Sequence, residues 1–380
     1  MGRTQDWRHV RDLPRHVERA ARPEPLIPHK VDAQPLMNRP LLALTGLAAW
    51  GGARALRARR AVSFAGRVAV VSGGSRGLGL MIARRLAAEG ARPALLARTA
   101  TDLDAARADV RARTGVEPLA IPCDVSDRAQ VESAVRRVAA ELGPPSVLVH
   151  DAGIIEVGPE AHMDERDYRE TMGVHFWGAY YLTEALKPHL VRDGAARVAY
   201  VSSIAGRVAV PHLVPYVASK HALKGYADGV RAELAGQGVA VTTVTPGLMR
   251  TGSHPNAIVK GDHQAEFAPF AIADAAPLVS MDGDRAADKI VDALRHGDPA
   301  LTLTFVAKAL AAVDGVAPGL TGRVQALVDR LLPDPVGPEG DRRQTGWESF
   351  SETAPSALTA LADDDVVPNN ELRGHSPDRL

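Results

Sequence analysis

The sequence predicts a doubly wound α/β fold, a parallel sheet of about seven strands with helices on both faces. Two observations predict it. From Gly66 onward, short β-rich runs alternate with longer Ala/Leu/Arg segments of helical period. The β-rich runs are nearly continuous in apolar residues, as strands are when both faces of a parallel sheet are covered. Strands joined in this alternation connect by right-handed crossovers, which wind the sheet in two directions. The expected strands are residues 67–72, 93–98, 117–123, 146–150, 197–202, 239–245 and 300–305. No repeat of solenoid period interrupts them.

The flanks differ from this middle, and the chain divides into three parts. Residues 1–60 carry twelve Arg or Lys against five Asp or Glu and form a basic arm. Within the arm, residues 41–53 are apolar and uncharged, followed by Arg54, Arg57, Arg59 and Arg60. This stretch is shorter than the roughly 20 residues of a bilayer span. Three readings stand: a helix packed on protein, a helix lying in a membrane surface with its arginines on anionic lipid, or a short anchor. Residues 61–332 form the α/β domain with its C-terminal helices. Residues 333–380 carry four basic against ten acidic residues, are rich in Pro and Gly, and are expected to be largely disordered.

The 380 residues balance 45 Lys and Arg against 45 Asp and Glu, which argues against a nucleic-acid partner needing a basic face. Cys123 is the single cysteine, so no internal disulfide forms and a reducing, cytoplasmic compartment is expected, with peripheral membrane contact through residues 41–60 left open. Cys123 reads as a small core residue. His162, His189, His212, His254 and His263 lack the tight paired spacing of metal ligands, and no metal is expected.

The first strand runs into Ser72-Gly73-Gly74-Ser75-Arg76-Gly77-Leu78-Gly79, and a helical segment follows. Glycines let the backbone turn tightly and approach a pyrophosphate, while the helix N-terminus behind them offers free N–H groups. Between an apolar strand and a helix, this is a Rossmann-type dinucleotide cradle. An acidic residue at the end of the second strand would bind ribose hydroxyls and select NAD(H). Here Ala97, Arg98 and Thr99 stand there, and Arg76 and Arg98 are placed to meet a 2′-phosphate, which favours NADP(H) over NAD(H).

Downstream come Ser202-Ser203 and then Tyr216-Val217-Ala218-Ser219-Lys220. Tyr216 and Lys220 share a helix face. A free tyrosine, with a pKa of about 10, is a poor base near neutrality. A neighbouring ammonium favours its phenolate, so that Tyr216 serves as acid/base. Ser203, at a strand end, is placed to hold a substrate oxygen.

From Gly66 to Phe305 the chain resembles the short-chain dehydrogenase/reductases. The loop Ser72 to Gly79 is similar to that family's Thr-Gly-x-x-x-Gly-x-Gly, with serine for threonine. Ser203, Tyr216 and Lys220 match its catalytic triad. Asp124 and Val125 match its adenine contact, and Pro246, Gly247 and Thr251 its nicotinamide carboxamide segment. The resemblance implies direct hydride transfer between nicotinamide and a carbinol carbon, cofactor contacts from Gly73, Ser75, Arg76, Gly77, Leu78 and Gly79, and a lysine that also binds the nicotinamide ribose. It further implies a homodimer or homotetramer through the helices carrying His175 and Tyr216.

Two departures stand out. The family's Asn-Asn-Ala-Gly reads His150-Asp151-Ala152-Gly153, where Ala152 and Gly153 keep the close approach to cofactor. Its relay asparagine is replaced by His175. Either His175 holds the relay water or joins the relay as a catalytic group, or it is a packing variant beside a relay carried by a backbone carbonyl.

Residues 248–284 are expected to close over the site, with Phe267, Phe270 and neighbouring apolar residues as a lid, and Ile154, Ile155, Val157, Val210, His212 and Met249 as wall. The expected substrate is an apolar ketone, aldehyde or alcohol. Two other functions fit less of the motif: an NADP(H)-binding regulatory or scaffold protein without turnover, and an epimerase or dehydratase on the same fold.

Overall fold

Seven parallel strands form the central sheet in the order β7-β6-β5-β4-β1-β2-β3. They are β1 (Val68–Ser72), β2 (Arg92–Ala97), β3 (Leu119–Pro122), β4 (Pro145–His150), β5 (Arg197–Val201), β6 (Ala240–Thr245) and β7 (Ala300–Thr302). The computed structural model describes residues 51–380 apart from Leu278. The apolar stretch 41–50 and the arm before it lie outside the described residues, and the chain from Ala53 onward clusters as one unit.

All seven expected strands are present, and β1, β4 and β5 are buried at every position. The cause is the helices on both faces. One core packs α1 (Gly77–Ala88), α2 (Ala100–Thr114) and α8 (Gly283–His296) against the sheet through Leu80, Met81, Leu86, Leu103, Ile290 and Leu294. The other packs α3 (Arg128–Leu142), α5 (Gly178–Asp193) and α6 (Val214–Ala235) through Val131, Val138, Leu182, Leu186 and Leu223. Cys123 is buried in this second core, as expected of a small apolar side chain. Two shorter helices, α9 (Phe305–Val316) and α10 (Pro318–Asp329), follow β7. Among the described residues, no helix is long and apolar enough to cross a membrane.

The order in which strands are added reverses between β1 and β4, and ligands bind beyond the carboxyl ends of strands at such a point. The loops after β1 and β4 meet there: a Cβ on Gly73 would stand 2.8 Å from the Ala152 amide nitrogen. α4 (Glu165–Met172) runs into a π-turn, Gly173–Trp177, before α5.

The segment 333–380 departs from the expectation of disorder. Gln344–Thr345 pairs antiparallel with Ile258–Val259. Trp347 is 1% exposed and packs on Phe350, which meets Phe267. Arg343 reaches Glu156 at 2.5 Å and Glu170 at 2.7 Å. Composition marked the segment as too polar to bury; the domain supplies an apolar helix, α7 (His263–Ala275), and buried acids for it to cover. At the other end, Arg57 pairs with Asp298 and Asp292, so this arginine of the basic cluster is committed to the domain.

Candidate active site

Ser203 follows β5 and caps a short turn, its hydroxyl accepting from the Ala205 N–H at 3.1 Å. The turn is held to the end of β6 by the Ile204 N–H, which donates to the Pro246 carbonyl at 2.6 Å. Tyr216 and Lys220 lie in the first two turns of α6. The Ser202 hydroxyl donates to the Lys220 carbonyl at 2.9 Å, and the Lys220 ammonium donates to the Val201 carbonyl at 3.0 Å. These bonds tie α6 to the end of β5 and bring Ser203, Tyr216 and Lys220 together. Lys220 Nζ lies 5.5 Å from the centre of the Tyr216 ring.

Lys220 is buried and Ser203, Tyr216 and Asp151 are half-buried. Burial pushes the Tyr216 phenol up to about 12, against a hydrogen bond with Ser203 that pulls it down. Burial lowers Lys220, while the Asp151 carboxylate works in the opposite direction. Asp151, raised by burial, accepts from the Gly79 backbone amide. It therefore links the glycine loop to the catalytic lysine.

His175 sits in the π-turn and is completely buried. The Ser219 hydroxyl donates to the Tyr216 carbonyl at 2.8 Å, so its one proton is used. The 2.8 Å contact between His175 Nδ1 and Ser219 Oγ then has nitrogen as donor. His175 Nε2 accepts from the Ile154 N–H at 3.2 Å. Both nitrogens are occupied in the neutral form, and burial with Lys220 nearby holds the pKa well below its usual value. The His175 ring also meets the Tyr216 ring edge-on at 5.5 Å. His150 is buried as well: Nε2–H donates to the His175 carbonyl at 3.2 Å and Nδ1 accepts from the Ser72 hydroxyl at 2.9 Å. The two departures from the family pattern thus form one network under the site. Ser219, its central link, has no motif that would single it out.

The cofactor residues split. Gly73, Ser75, Arg76, Gly77, Leu78 and Gly79 form the loop and first turn of α1. The N-terminus of α1 has no side-chain N-cap and no acid in its first turn; the Gly77 amide donates to the Asn369 carbonyl and the Gly79 amide to Asp151. Arg76 Nη1 is buried without a hydrogen-bond partner. Arg98 is exposed just beyond β2. These features fit a dinucleotide phosphate. Val125 packs against the position a Gly178 Cβ would take, and the Asp124 carboxylate accepts from Ser126. Gly153 is exposed beside the His175 ring, and Ala152 lies against Gly73. Gly247 lies against Thr304, and the buried Thr251 hydroxyl pairs with Ser253.

The expected lid is only partly a lid. Phe267 is 1% exposed and stacks with His254 and Phe350, so its apolar surface serves packing. Val157 is buried in the same cluster. His212 is held by Glu266 at 2.8 Å. Ile154, Ile155, Val210 and Met249 remain half-buried.

Known proteins share this chain's family and fold. The family described as short chain dehydrogenase matches residues 67–258. D-threitol dehydrogenase of Mycolicibacterium smegmatis is 30% identical over 239 residues, 60% of this chain and 92% of that protein. A dehydrogenase/reductase SDR family protein 7-like of Drosophila melanogaster is 28% identical over 244 residues, 63% of this chain and 73% of that protein. The crystal structure of L-sorbose reductase from Gluconobacter frateurii, complexed with NADPH and L-sorbose, superposes with a TM-score of 0.58 at 22% identity, over 64% of this chain and 97% of that one.

Proposed function

The chain belongs to the short chain dehydrogenase family of oxidoreductases, and on that premise we propose that it interconverts an apolar ketone or aldehyde and its alcohol with NADP(H). The observation that carries this reading is Tyr216 beside Lys220 on α6, with Ser203 close enough to lower the phenol's pKa.

When bound, the nicotinamide supplies or takes the hydride. The protein's part is to hold the substrate oxygen and move one proton. Ser203 orients the carbonyl oxygen towards the Tyr216 hydroxyl. With its pKa pushed up to about 12, Tyr216 is protonated at neutral pH and donates to the oxygen as reduction proceeds. The Lys220 ammonium stabilises the phenolate that remains. In oxidation the same groups act in reverse.

Arg76, with its unpartnered buried Nη1, and Arg98 support NADP(H) over NAD(H), since guanidinium suits a phosphate and no carboxylate ends β2. Ile154, Ile155, Val210 and Met249 support an apolar substrate, although the threitol dehydrogenase and sorbose reductase are named for polyhydroxy compounds. The aromatic cluster of Phe176 and Trp177 in the π-turn, Tyr180 and Tyr181 on α5 and Tyr226 on α6, with Trp177 44% exposed, supports a homodimer or homotetramer through those elements.

The test is loss of NADPH absorbance against a panel of apolar ketones, aldehydes and ketoses, repeated with NADH. Wild type is expected to favour NADPH and apolar carbonyls. Tyr216→Phe should lose about 10²–10⁴-fold in turnover while NADPH binding persists. Full turnover by that variant overturns the mechanism.

A further inference from the structure

The strongest unexplained feature is the course of residues 363–373 across the glycine loop. The Gly77 amide, at the start of α1, donates to the Asn369 carbonyl at 2.9 Å. The Asn370 side chain donates to the Ser75 and Asp102 carbonyls at 2.9 and 3.0 Å. Arg84 of α1 holds the Asn369 side chain at 2.9 Å and the Pro368 carbonyl at 2.6 Å. Earlier in the segment, the Asp365 carbonyl stands 2.5 Å from where a Gly252 Cβ would be, next to Thr251. The segment therefore touches both the loop read as the phosphate cradle and the segment read as the carboxamide contact.

Glu371 is the centre of this contact. It is 2% exposed, and its Oε1 lies 2.6 Å from where a Cβ on Gly77 would be. Its Oε2 is 3.5 Å from Arg76 Nε and accepts from Asn256 at 2.7 Å. Arg373 is close enough to feel the charges of Arg76 and Arg98 and of the acids Glu371 and Asp102. A carboxylate thus occupies the face of the loop that glycine leaves open. It leaves the buried Arg76 Nη1 unsatisfied. A phosphate, with three acceptor oxygens and up to two charges, satisfies such a cluster better than one carboxylate.

We propose that residues 363–373 form a self-cap on the dinucleotide site, in which Glu371 stands in for a cofactor phosphate and is displaced when NADP(H) binds. The proposal rests on the cofactor reading above and adds a regulatory step to it. The closed chain carries its own competitor, so its apparent cofactor affinity is lowered by the fraction of time the cap is open. Anything that draws the segment away raises activity without touching the catalytic residues.

The test uses the full chain. Hydrogen exchange is measured for residues 363–373 with and without NADPH, and NADPH affinity is compared between wild type and Glu371→Gln. Displacement predicts faster exchange in the segment on NADPH binding. It also predicts about tenfold tighter binding by Glu371→Gln, as for a site capped roughly nine-tenths of the time. Slower exchange together with weaker binding by the variant overturns the cap and makes the segment a clamp over the cofactor. Unchanged exchange also overturns it. If Glu371→Gln does not fold, exchange in the wild type decides alone. Absence of NADPH binding in both proteins defeats the cofactor reading itself, a result distinct from binding without displacement.

Discussion

The two histidines beneath the active site show how a side chain's role depends on the partners that its position along the chain does not reveal. His175 stands where the family places a relay asparagine, and the sequence left open whether its imidazole carries protons. The Ser219 hydroxyl and the Ile154 N–H now occupy both ring nitrogens. His175 is thus a positioning residue that fixes α6 through Ser219 and the loop through Ile154. Both His175→Asn and His175→Ala should keep the wild-type pH profile of kcat. His175→Ala should lower stability by about 1–3 kcal/mol, the cost of an orphaned buried polar group, with His175→Asn recovering part of it in thermal unfolding. A shifted profile in the alanine variant alone would return the imidazole to the relay. His150 gives a second test. Burial, aided by Lys220, lowers it from 6.5 to about 3, so the unfolded chain takes up a proton there first. Its contribution is present above about pH 6.5 and is lost as pH falls towards 3. The stability of wild type relative to His150→Asn should therefore decline across that window, as read by urea unfolding at several pH values; a constant difference would contradict it.

Among the elements, the glycine loop was legible and the π-turn was not. A loop of this kind is written in its residue types. A Cβ on Gly79 would land on the Gly73 carbonyl and within 3.0 Å of the Asp151 carboxylate. Gly79→Ala should accordingly cost about 1–3 kcal/mol by overpacking and abolish NADPH binding, measured by denaturation and fluorescence titration. Native stability with native binding would show that the loop tolerates the side chain. The π-turn at Gly173–Trp177 inserts one residue between α4 and α5 without a compositional mark. Its effect is local but decisive, since it accompanies a His175 carbonyl that accepts from His150.

For the whole molecule, the C-terminal segment, residues 333–380, changes most between sequence and structure. Residues 344–350 close over α7 through Trp347 and Phe350. Arg343 and Lys260 bring cations to the buried Glu156 and Asp167, with Lys260 donating to Asp167 at 2.6 Å. A disordered tail would tolerate any substitution at Trp347. The packed one predicts that Trp347→Ala lowers stability by about 3–5 kcal/mol, as for other large core truncations, seen as a fall in the thermal midpoint. An unchanged midpoint would restore the disordered reading.

The sequence by itself determined the alternation of strands and helices, the glycine loop and the shared helix face of Tyr216 and Lys220. Each of these is carried by local spacing: period two or 3.6, strand–glycine–helix order, or four residues along one helix face. Only the tertiary structure decided that His175 is held neutral, that Phe267 packs against Phe350, and that Asn369, Asn370 and Glu371 lie on the cradle. Those outcomes depend on polar and apolar groups meeting across hundreds of residues. Whether a polar residue stays in water or is buried against a partner is settled by what stands opposite it, and that partner leaves no mark in its neighbours along the chain.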